Sequence, residues 1–288
     1  MKLEFKKYHH CGNDFVIVDD LTGTIEPEFA KKLSKNLLKR KYAIGGNDLL
    51  YLKSDEDTDA FMHIYNVSDV EGSMCGNGSL CAGKYLSGKL GKNEIKIKTL
   101  SGIVNIKKIG NNFFELGLGQ VFHKYGELSK FFKYPGLAKE ESVLAVEFNI
   151  KEVPPFIGNV VHVGEPHLVV FETEVDKVDL QKFGDAVNNC KKHFPEFINL
   201  NLVQILDEKT IKIRTYERSC FEETDACATG STCAAYVCKL LGNLKEDMIT
   251  VKVKGGEFKV YAKKNMNYLV GSPEKVFEGH VAIPEGEF

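Results

Sequence analysis

Cys75-Gly76-Asn77-Gly78-Ser79-Leu80-Cys81-Ala82 has a close counterpart in the second half of the chain, Cys227-Ala228-Thr229-Gly230-Ser231-Thr232-Cys233-Ala234. The two stretches agree at the first cysteine, the glycine, the serine, the second cysteine and the alanine. The residues that follow each stretch favour a helix. Each stretch therefore predicts the first turn of a helix with a cysteine at its start.

The spacing between these two motifs recurs along the chain. Their first cysteines, Cys75 and Cys227, are 152 residues apart, and other segments match at the same offset. A shared offset of this kind indicates two halves of one duplicated unit. The other matching segments are His10-Cys11-Gly12-Asn13 with His162-Val163-Gly164-Glu165, Asn47 with Asn199, and Asn66 with Arg218.

One cysteine in each half suits a particular reaction. A racemase that works without a cofactor removes a proton from one face of a chiral carbon and returns a proton to the other face, so it needs an acid–base group on each side. If the two halves face each other, Cys75 and Cys227 would supply one thiolate base and one thiol acid. We also expect the helix N-terminus to lower the pKa of each thiol towards neutrality.

The backbone at the start of each helix predicts a carboxylate site. The first N–H groups of a helix have no partner within the helix, and the helix dipole favours negative charge there. An amino-acid carboxylate bound to these donors would be stabilised further as charge spreads onto it in the transition state. The residues expected to supply the donors are Gly76, Asn77, Ala228 and Thr229.

Either motif alone has a structural explanation. Free cysteines are often small buried apolar residues, and we expect this of Cys81, Cys233 and Cys238, which lie well inside the two predicted helices. Glycine beside a cysteine also occurs in tight turns. The repetition of the motif in register, with polar residues around it, favours the catalytic interpretation.

Short polar motifs follow one another through both halves: Gly12–Phe15, Met74–Gly78, Gly164 with Pro166-His167, Phe194–Glu196, Glu217-Arg218 and Ala226-Cys227 with Thr229-Gly230. Over essentially the whole chain they resemble the diaminopimelate epimerase family of amino-acid racemases, which use no pyridoxal phosphate. The resemblance is specific for the reaction and less so for the substrate. It implies that Cys75 and Cys227 are catalytic and that no cofactor is needed.

The resemblance also implies roles for residues around the thiols. His167 and Glu217 would position the α-ammonium group, and the side chains of Asn77 and Thr229 would add hydrogen bonds near the α-carboxylate. Without the resemblance, His167 is more simply a core histidine, and Glu217 with Arg218 a surface ion pair.

The family holds the distal end of diaminopimelate with asparagines and an arginine. The residues assigned here to that part of the substrate are Asn13, Asn66, Asn199 and Arg218, together with Asn47, which aligns with Asn199.

Departures from the family pattern bear on the substrate. Glu165 stands where the family usually has asparagine, and a carboxylate there would repel the distal carboxylate of diaminopimelate. With Asp69 nearby, this charge favours a basic side chain such as that of histidine, lysine or ornithine. The family includes histidine racemases, so histidine is the preferred substrate and diaminopimelate the alternative.

Other classes of protein remain open. They are an isomerase of other small metabolites on the same scaffold, an amino-acid binding protein and a thiol redox sensor. Exchange of the substrate α-hydrogen with solvent deuterium distinguishes a racemase from a binding protein.

Apolar periodicity predicts an α+β protein with amphipathic helices at Pro27–Arg40 and Leu180–His193. The resemblance implies two pseudo-symmetric domains, each a mostly antiparallel sheet or barrel wrapped round a central helix. We place the N-terminal domain at residues 1–122, with a C-terminal strand at 275–288 returning to it, and the second domain at 123–274.

Composition restricts the class of protein further. The 288 residues are 43% hydrophobic and 27% charged with a formal net charge of −2, and no basic stripe indicates nucleic acid as a partner. No apolar run predicts a signal peptide or a membrane span, so we expect a cytoplasmic protein. Eight cysteines are then expected to be reduced, and their spacing does not fit a zinc site. The expected partners are an amino-acid substrate and, as the candidate assembly, a second copy of the chain.

Overall fold

Strands predominate within residues 2–25, 27–68 and 71–283, the part of the chain that the computed structural model describes. In chain order the elements up to residue 119 are β1 (Lys2–His10), β2 (Asn13–Asp20), α1 (Pro27–Leu37), β3 (Asp48–Lys53), β4 (Ala60–Tyr65), β5 (Glu71–Gly72), α2 (Gly76–Leu90), β6 (Glu94–Thr99), β7 (Gly102–Lys108) and β8 (Phe114–Gly119). The elements that follow are α3 (Tyr125–Leu128), β9 (Val146–Phe148), β10 (Phe156–Val163), β11 (Glu165–Phe171), α4 (Leu180–Asn189), β12 (Asn199–Asp207), β13 (Thr210–Glu217), β14 (Glu222–Thr224), α5 (Ala228–Leu240), β15 (Ile249–Val253), β16 (Gly256–Lys263), β17 (Met266–Gly271) and β18 (Glu274–Ala282). The predicted α+β class is confirmed.

The chain divides into two units. Unit 1 comprises Met1–Gly117 with Val270–Phe288, and unit 2 comprises Leu118–Leu269. The C-terminal strand β18 pairs antiparallel with β1 inside unit 1, with Lys2 opposite Ala282. Of the returning segment placed at 275–288, residues 284–288 lie outside the described part of the chain, as does Asp69.

The two units share one order of strand pairing. In unit 1, β1–β2, β3–β4, β4–β5 and β6–β7 are antiparallel, while β2–β3 and β4–β6 are parallel. In unit 2, β10–β11, β12–β13, β13–β14 and β15–β16 are antiparallel, while β11–β12 and β13–β15 are parallel. Each unit is therefore mostly antiparallel with two parallel contacts. Descent of the two units from one duplicated ancestor stays an interpretation.

A buried helix runs through each unit. In α2, the residues Gly76–Gly83 are all buried, and in α5 the same holds for Ala228–Ala235. These segments consist largely of glycine, alanine, serine and cysteine, whose small side chains allow strands to approach closely. A helix buried on all sides has no polar stripe, and neither sequence shows one. The two cysteine motifs thus encode the enclosed helices of the fold.

The other long helix of each unit packs one face on the core. In α1, Leu33 and Leu37 are buried in the core of unit 1 with Phe29 packed against them, as the predicted apolar stripe requires. In α4, Phe183 and Val187 contribute to the core of unit 2 in the same way.

Both of these helices end earlier than predicted. The α1 helix ends at Leu37 and not at Arg40, because the chain turns back and the Gly45 N–H donates to the Leu37 carbonyl at 2.9 Å. Leu38 continues the apolar stripe and is buried, but it belongs to the turn. Periodicity alone does not distinguish a buried turn residue from a further turn of helix.

In unit 2, α4 ends at Asn189 and not at His193, because the Cys190 N–H reaches back only three residues to the Val187 carbonyl. Among the described residues, no helix combines the length and apolar character needed to cross a membrane.

Glycine at position 83 is required by close packing inside α2. A methyl group there would lie 2.6 Å from Ile106 Cγ2, so we expect Gly83→Ala to lower the free energy of unfolding by about 1–3 kcal/mol. The matched control is Gly88→Ala in the same helix, where a methyl group meets no atom within 4 Å. It should be neutral or stabilising by up to about 1 kcal/mol. Urea denaturation of both variants measures the difference, and equal effects would contradict this packing argument.

Candidate active site

Cys75 occupies the N-cap position of α2, as predicted. Its backbone is extended (φ −140°, ψ 115°), and its Sγ accepts a hydrogen bond from the Gly78 N–H at 3.3 Å. A side chain on residue 78 would crowd both Leu50 and the Cys75 sulfur, so glycine is suited to this position. The thiol is half-buried. The first turn of α2 therefore presents a sulfur atom together with the backbone donors of Gly76 and Asn77.

Cys227 occupies the same position at the start of α5. Its backbone is also extended (φ −122°, ψ 112°), and its Sγ lies 3.4 Å from the Thr229 hydroxyl oxygen. The side chain is buried, and this burial raises the pKa of the Cys227 thiol well above its usual range. The Glu217 carboxylate raises the pKa further, whereas hydrogen bonds from Thr229 and the Gly230 N–H lower it. The expected lowering towards neutrality is wrong for Cys227, because desolvation outweighs the helix N-terminus.

Glu217 lies at the end of β13, against Cys227. Its Oε1 accepts a hydrogen bond from the Thr224 hydroxyl at 2.8 Å. Desolvation raises the pKa of the Glu217 carboxyl, and hydrogen bonds with Thr224 and Cys227 partly offset this. Glu217 therefore forms no surface ion pair with Arg218, and it places a second proton-binding group beside the thiol.

His167 is fully buried beneath the start of α5. Its Nε2 lies 3.0 Å from the Thr229 hydroxyl oxygen, and its Nδ1 lies 3.0 Å from the side-chain nitrogen of Asn201. Burial lowers the pKa of His167 to about 3, so the ring is neutral at ordinary pH. Both ring nitrogens are thus engaged inside unit 2, which fits a supporting role under Thr229 better than direct contact with an ammonium group.

A second buried histidine supports the start of α2 in unit 1. His10 Nδ1 donates to the side-chain oxygen of Asn77 at 3.0 Å, and burial lowers the pKa of His10 to about 4. The ring packs so closely on Gly271 that a methyl group there would lie 2.2 Å from His10 Nε2. Sequence reasoning missed this role, because His10 entered only through its alignment with His162.

Two residues of unit 1 that the sequence assigns to the distal end of the substrate, Asn13 and Asn47, belong to one polar network. An Arg40 nitrogen donates to Asn47 Oδ1 at 2.6 Å, and Asn47 Nδ2 donates to Asn13 Oδ1 at 2.9 Å. Arg40 also pairs with Asp14, which in turn binds the buried Lys7 at 2.6 Å. The structure thus brings Asn13 and Asn47 together and adds Arg40, which sequence reasoning missed.

Asn66 lies outside this network. Its side-chain oxygen accepts the Ser68 N–H at 2.8 Å, and its backbone carbonyl accepts the Ser34 hydroxyl at 3.0 Å.

In unit 2, Arg218 contacts both Glu165 and Asn199. Its Nε donates to Glu165 Oε2 at 2.8 Å, a second guanidinium nitrogen binds the same oxygen, and a third donates to the Glu196 carbonyl at 2.8 Å. The Arg218 backbone N–H donates to Asn199 Oδ1 at 2.8 Å. Glu165 and Arg218 therefore neutralise each other, which replaces the isolated carboxylate expected from the sequence.

Cys81, Cys233 and Cys238 are buried inside the helices as predicted, and burial raises the pKa of each thiol. Within the described ranges, no group of three or more His, Cys, Asp or Glu side chains is arranged to hold a metal ion.

Solved structures define the class of fold. A hydroxyproline epimerase from Agrobacterium vitis matches with a TM-score of 0.70 at 12% identity, over 97% of this chain and 91% of that protein. A phenazine biosynthesis protein of the PhzF family from Bacillus anthracis matches with a TM-score of 0.68 at 17% identity, over 98% and 100%. At these identities the likeness establishes the fold, which is that of diaminopimelate epimerase and PhzF-like proteins.

Sequence comparison then defines the family. The family model described as diaminopimelate epimerase matches residues 5–121 and 159–276. Proteins named diaminopimelate epimerase are 30% identical in Methanocella arvoryzae, over 98% of each chain, and 32% identical in Aquifex aeolicus, over 97% of this chain and 98% of that protein. The chain belongs to the diaminopimelate epimerase family and is an isomerase of the cofactor-independent racemase and epimerase type. This confirms the resemblance and the predicted class of enzyme.

The two buried histidines predict how stability depends on pH. The pKa of each is lower in the folded chain than its ordinary value of 6.5, so between these values the unfolded chain binds a proton that the folded chain does not. Their contribution to stability is complete above pH 6.5 and is lost as the pH falls. At about pH 5 the loss is about 2 kcal/mol for each histidine.

Urea denaturation between about pH 7.5 and about pH 5 measures this loss, and His10→Gln and His167→Gln should each make the dependence shallower. The control is His280→Gln, at an exposed position, which should keep the dependence of the unchanged protein. An equally steep loss in His10→Gln and His167→Gln would contradict the assignment.

Proposed function

We propose that the protein is an amino-acid racemase in which Cys75 and Cys227 exchange protons with the α-carbon from opposite faces. The observation that carries the proposal is that each cysteine is the N-cap of the buried helix of its own unit, in the same backbone conformation. Family membership supports the reaction class. The mechanism requires both thiols to reach one substrate carbon.

The first turns of α2 and α5 supply the carboxylate site in this mechanism. Their backbone N–H groups have no acceptor within the helix and point towards an anion at the N-terminus. Gly76 and Asn77 at one end and Ala228 and Thr229 at the other bind the α-carboxylate. When the α-proton leaves, charge spreads onto that carboxylate, and the fixed donors stabilise this state more than the ground state.

The surroundings of Cys227 bear on its protonation state in the resting enzyme. Because burial and Glu217 raise its pKa, Cys227 is a protonated thiol at neutral pH and serves as the acid when Cys75 removes the α-proton. In the opposite direction Cys227 must lose its proton first, and Glu217 is the neighbouring group that can receive it. Cys75 must take up a proton from solvent at the same stage, so that it can serve as the acid. Glu217 then carries the proton while Cys227 acts as the base.

The wall around the distal part of the substrate favours histidine. Arg218 already binds Glu165, so a distal carboxylate would have to displace that partner. In the described part of the chain, internal donors occupy the side-chain oxygens of Asn13, Asn66 and Asn199, which leaves their amide N–H groups for a substrate. A neutral imidazole can both accept from such an amide and donate to a carboxylate such as Glu165, whereas an ammonium group can only donate.

Diaminopimelate is the second candidate substrate. Relatives that match at about 30% identity over almost their whole length are named diaminopimelate epimerase. A distal carboxylate of the substrate could accept hydrogen bonds from the same asparagine amides. The two candidates differ in whether the Glu165–Arg218 pair stays closed during turnover.

The first test removes one thiol at a time. Cys75→Ser and Cys227→Ser should each lower the rate of racemisation by roughly 10²–10⁴-fold, because a hydroxyl is a far weaker acid than a thiol. The control is Cys220→Ser at an exposed position, which should retain full activity. Exchange of the α-hydrogen in deuterium oxide measures proton removal, and optical rotation measures the complete racemisation. Full activity in either catalytic variant would rule out the two-thiol mechanism.

The second test concerns the substrate. Glu165→Asn should release Arg218 and raise kcat/KM for diaminopimelate relative to histidine by roughly 10- to 100-fold, the range expected for one hydrogen bond to a charged group. The control is Glu196→Gln, which changes a nearby side chain but keeps the backbone carbonyl that Arg218 binds. An unchanged ranking of substrates in Glu165→Asn would remove the argument from the Glu165–Arg218 pair.

A further inference from the structure

A chain of hydrogen bonds runs through unit 2 from β13 to Cys227. The Thr215 hydroxyl donates to Asn201 Oδ1 at 3.0 Å, and Asn201 Nδ2 lies 3.0 Å from His167 Nδ1. His167 Nε2 lies 3.0 Å from the Thr229 hydroxyl oxygen, which in turn lies 3.4 Å from the sulfur of Cys227. The chain thus connects Thr215 in β13 to the thiol.

The chemistry of each group gives this chain one direction. An amide oxygen only accepts, so the Thr215 hydroxyl donates to it, and the amide nitrogen then donates to Nδ1 of His167. A neutral imidazole that accepts at Nδ1 carries its proton on Nε2, and this proton is donated to the Thr229 oxygen. The hydroxyl hydrogen of Thr229 is then directed towards the sulfur of Cys227.

Burial and close packing hold the chain in this arrangement. Asn201 and His167 are fully buried, and Thr215 is 3% exposed, so water does not compete for their hydrogen bonds. A methyl group on residue 230 would lie 2.4 Å from Asn201 Oδ1, so the glycine in the second cysteine motif makes room for this asparagine. The amide is thus fixed by a donor on one side and by the helix on another.

We propose that Asn201 is a positioning residue that fixes the tautomer of His167 and thereby makes Thr229 donate its hydroxyl hydrogen to Cys227. The inference rests on the proposed function, since it acts through a catalytic thiol. A donor aimed at sulfur stabilises the thiolate over the thiol. Thr229 therefore stabilises the thiolate of Cys227, whereas burial and Glu217 disfavour it. Asn201 acts indirectly, because it orients the Thr229 hydroxyl through His167.

Asn201→Asp reverses the chain with little change of shape. A carboxylate at this position accepts from both neighbours, so the His167 proton moves to Nδ1 and Nε2 becomes an acceptor. Thr229 then donates to His167 and no longer to Cys227. We expect kcat to fall by about 10- to 100-fold in the direction that uses Cys227 as base, with little change in KM. The pH at which that rate rises should move upwards.

The direct measurement is ¹⁵N NMR of the His167 ring in the full chain at about pH 8. The unchanged protein should carry the proton on Nε2 alone, and Asn201→Asp should carry it on Nδ1 alone. A merely structural effect of the substitution would not move the proton. Asn159→Asp is the matched control, because Asn159 is also buried, in β10, and its side chain bonds to the backbone of Ala145 and Val169.

A double-variant comparison tests the route through Thr229. In the Thr229→Val background, Asn201→Asp should change kcat less than twofold, because the donor it acts through is already gone. In the Thr229→Ser background, which keeps the hydroxyl, Asn201→Asp should lower kcat by the same factor as it does in the unchanged protein. If Asn201→Asp does not fold, Thr215→Val serves instead, since it frees the amide to rotate and should give a mixture of both His167 tautomers.

Two results would overturn the inference: a His167 ring that keeps its Nε2 proton in Asn201→Asp although activity falls, or an equal fall in the Thr229→Val background. Failure of the proposed function has a different signature. In that case Cys227→Ser would keep its activity, whereas the tautomer of His167 would still follow Asn201.

Discussion

Burial of a helix N-terminus is the constraint on which this structure depends. The first turns of α2 and α5 lie inside the protein, and the first N–H groups of a helix have no carbonyl acceptor within that helix. Each such buried group needs another partner to avoid a free-energy cost. In α2, the Cys75 sulfur accepts a hydrogen bond from one of these groups, the Gly78 N–H. Donors held in a low-dielectric interior act strongly on an anion that enters, so the arrangement that is costly for stability is suited to binding a carboxylate.

The same burial disfavours the thiolate form of Cys227. The helix dipole favours a thiolate, but removal of Cys227 from water has the larger effect on its pKa. The groups that support Cys227 are neutral. His167 and Asn201 are buried without charge, and they act by orienting the hydrogen bond that reaches the thiol. Unit 1 uses a different histidine, His10, which lies under Asn77 at the equivalent place. The two units therefore support equivalent helix positions with different residues.

Much of the fold and part of the site could be predicted from the sequence, because the signals are local. The cysteine motifs predict helix starts, since N-cap and small-residue patterns are read over a few residues. Partners distant in sequence left no such signal: Asn77 lies 67 residues after His10, and Asn201 lies 34 residues after His167. The pKa of Cys227 was predicted in the wrong direction because the helix start is visible in sequence, whereas the depth of burial is not. The charge of Glu165 was recognised, but its partner Arg218 was assigned to the substrate.

The pairing of β18 with β1 bears on the order in which the protein is made and folds. Unit 1 contains both β1 and β18, which ends at Ala282, whereas unit 2 is the continuous segment Leu118–Leu269. During synthesis β1 waits until all of unit 2 has been made before its partner β18 leaves the ribosome. Unit 2 is complete earlier, so the later half of the sequence can reach its native contacts first, and the nascent edge of β1 is exposed to wrong partners in the meantime.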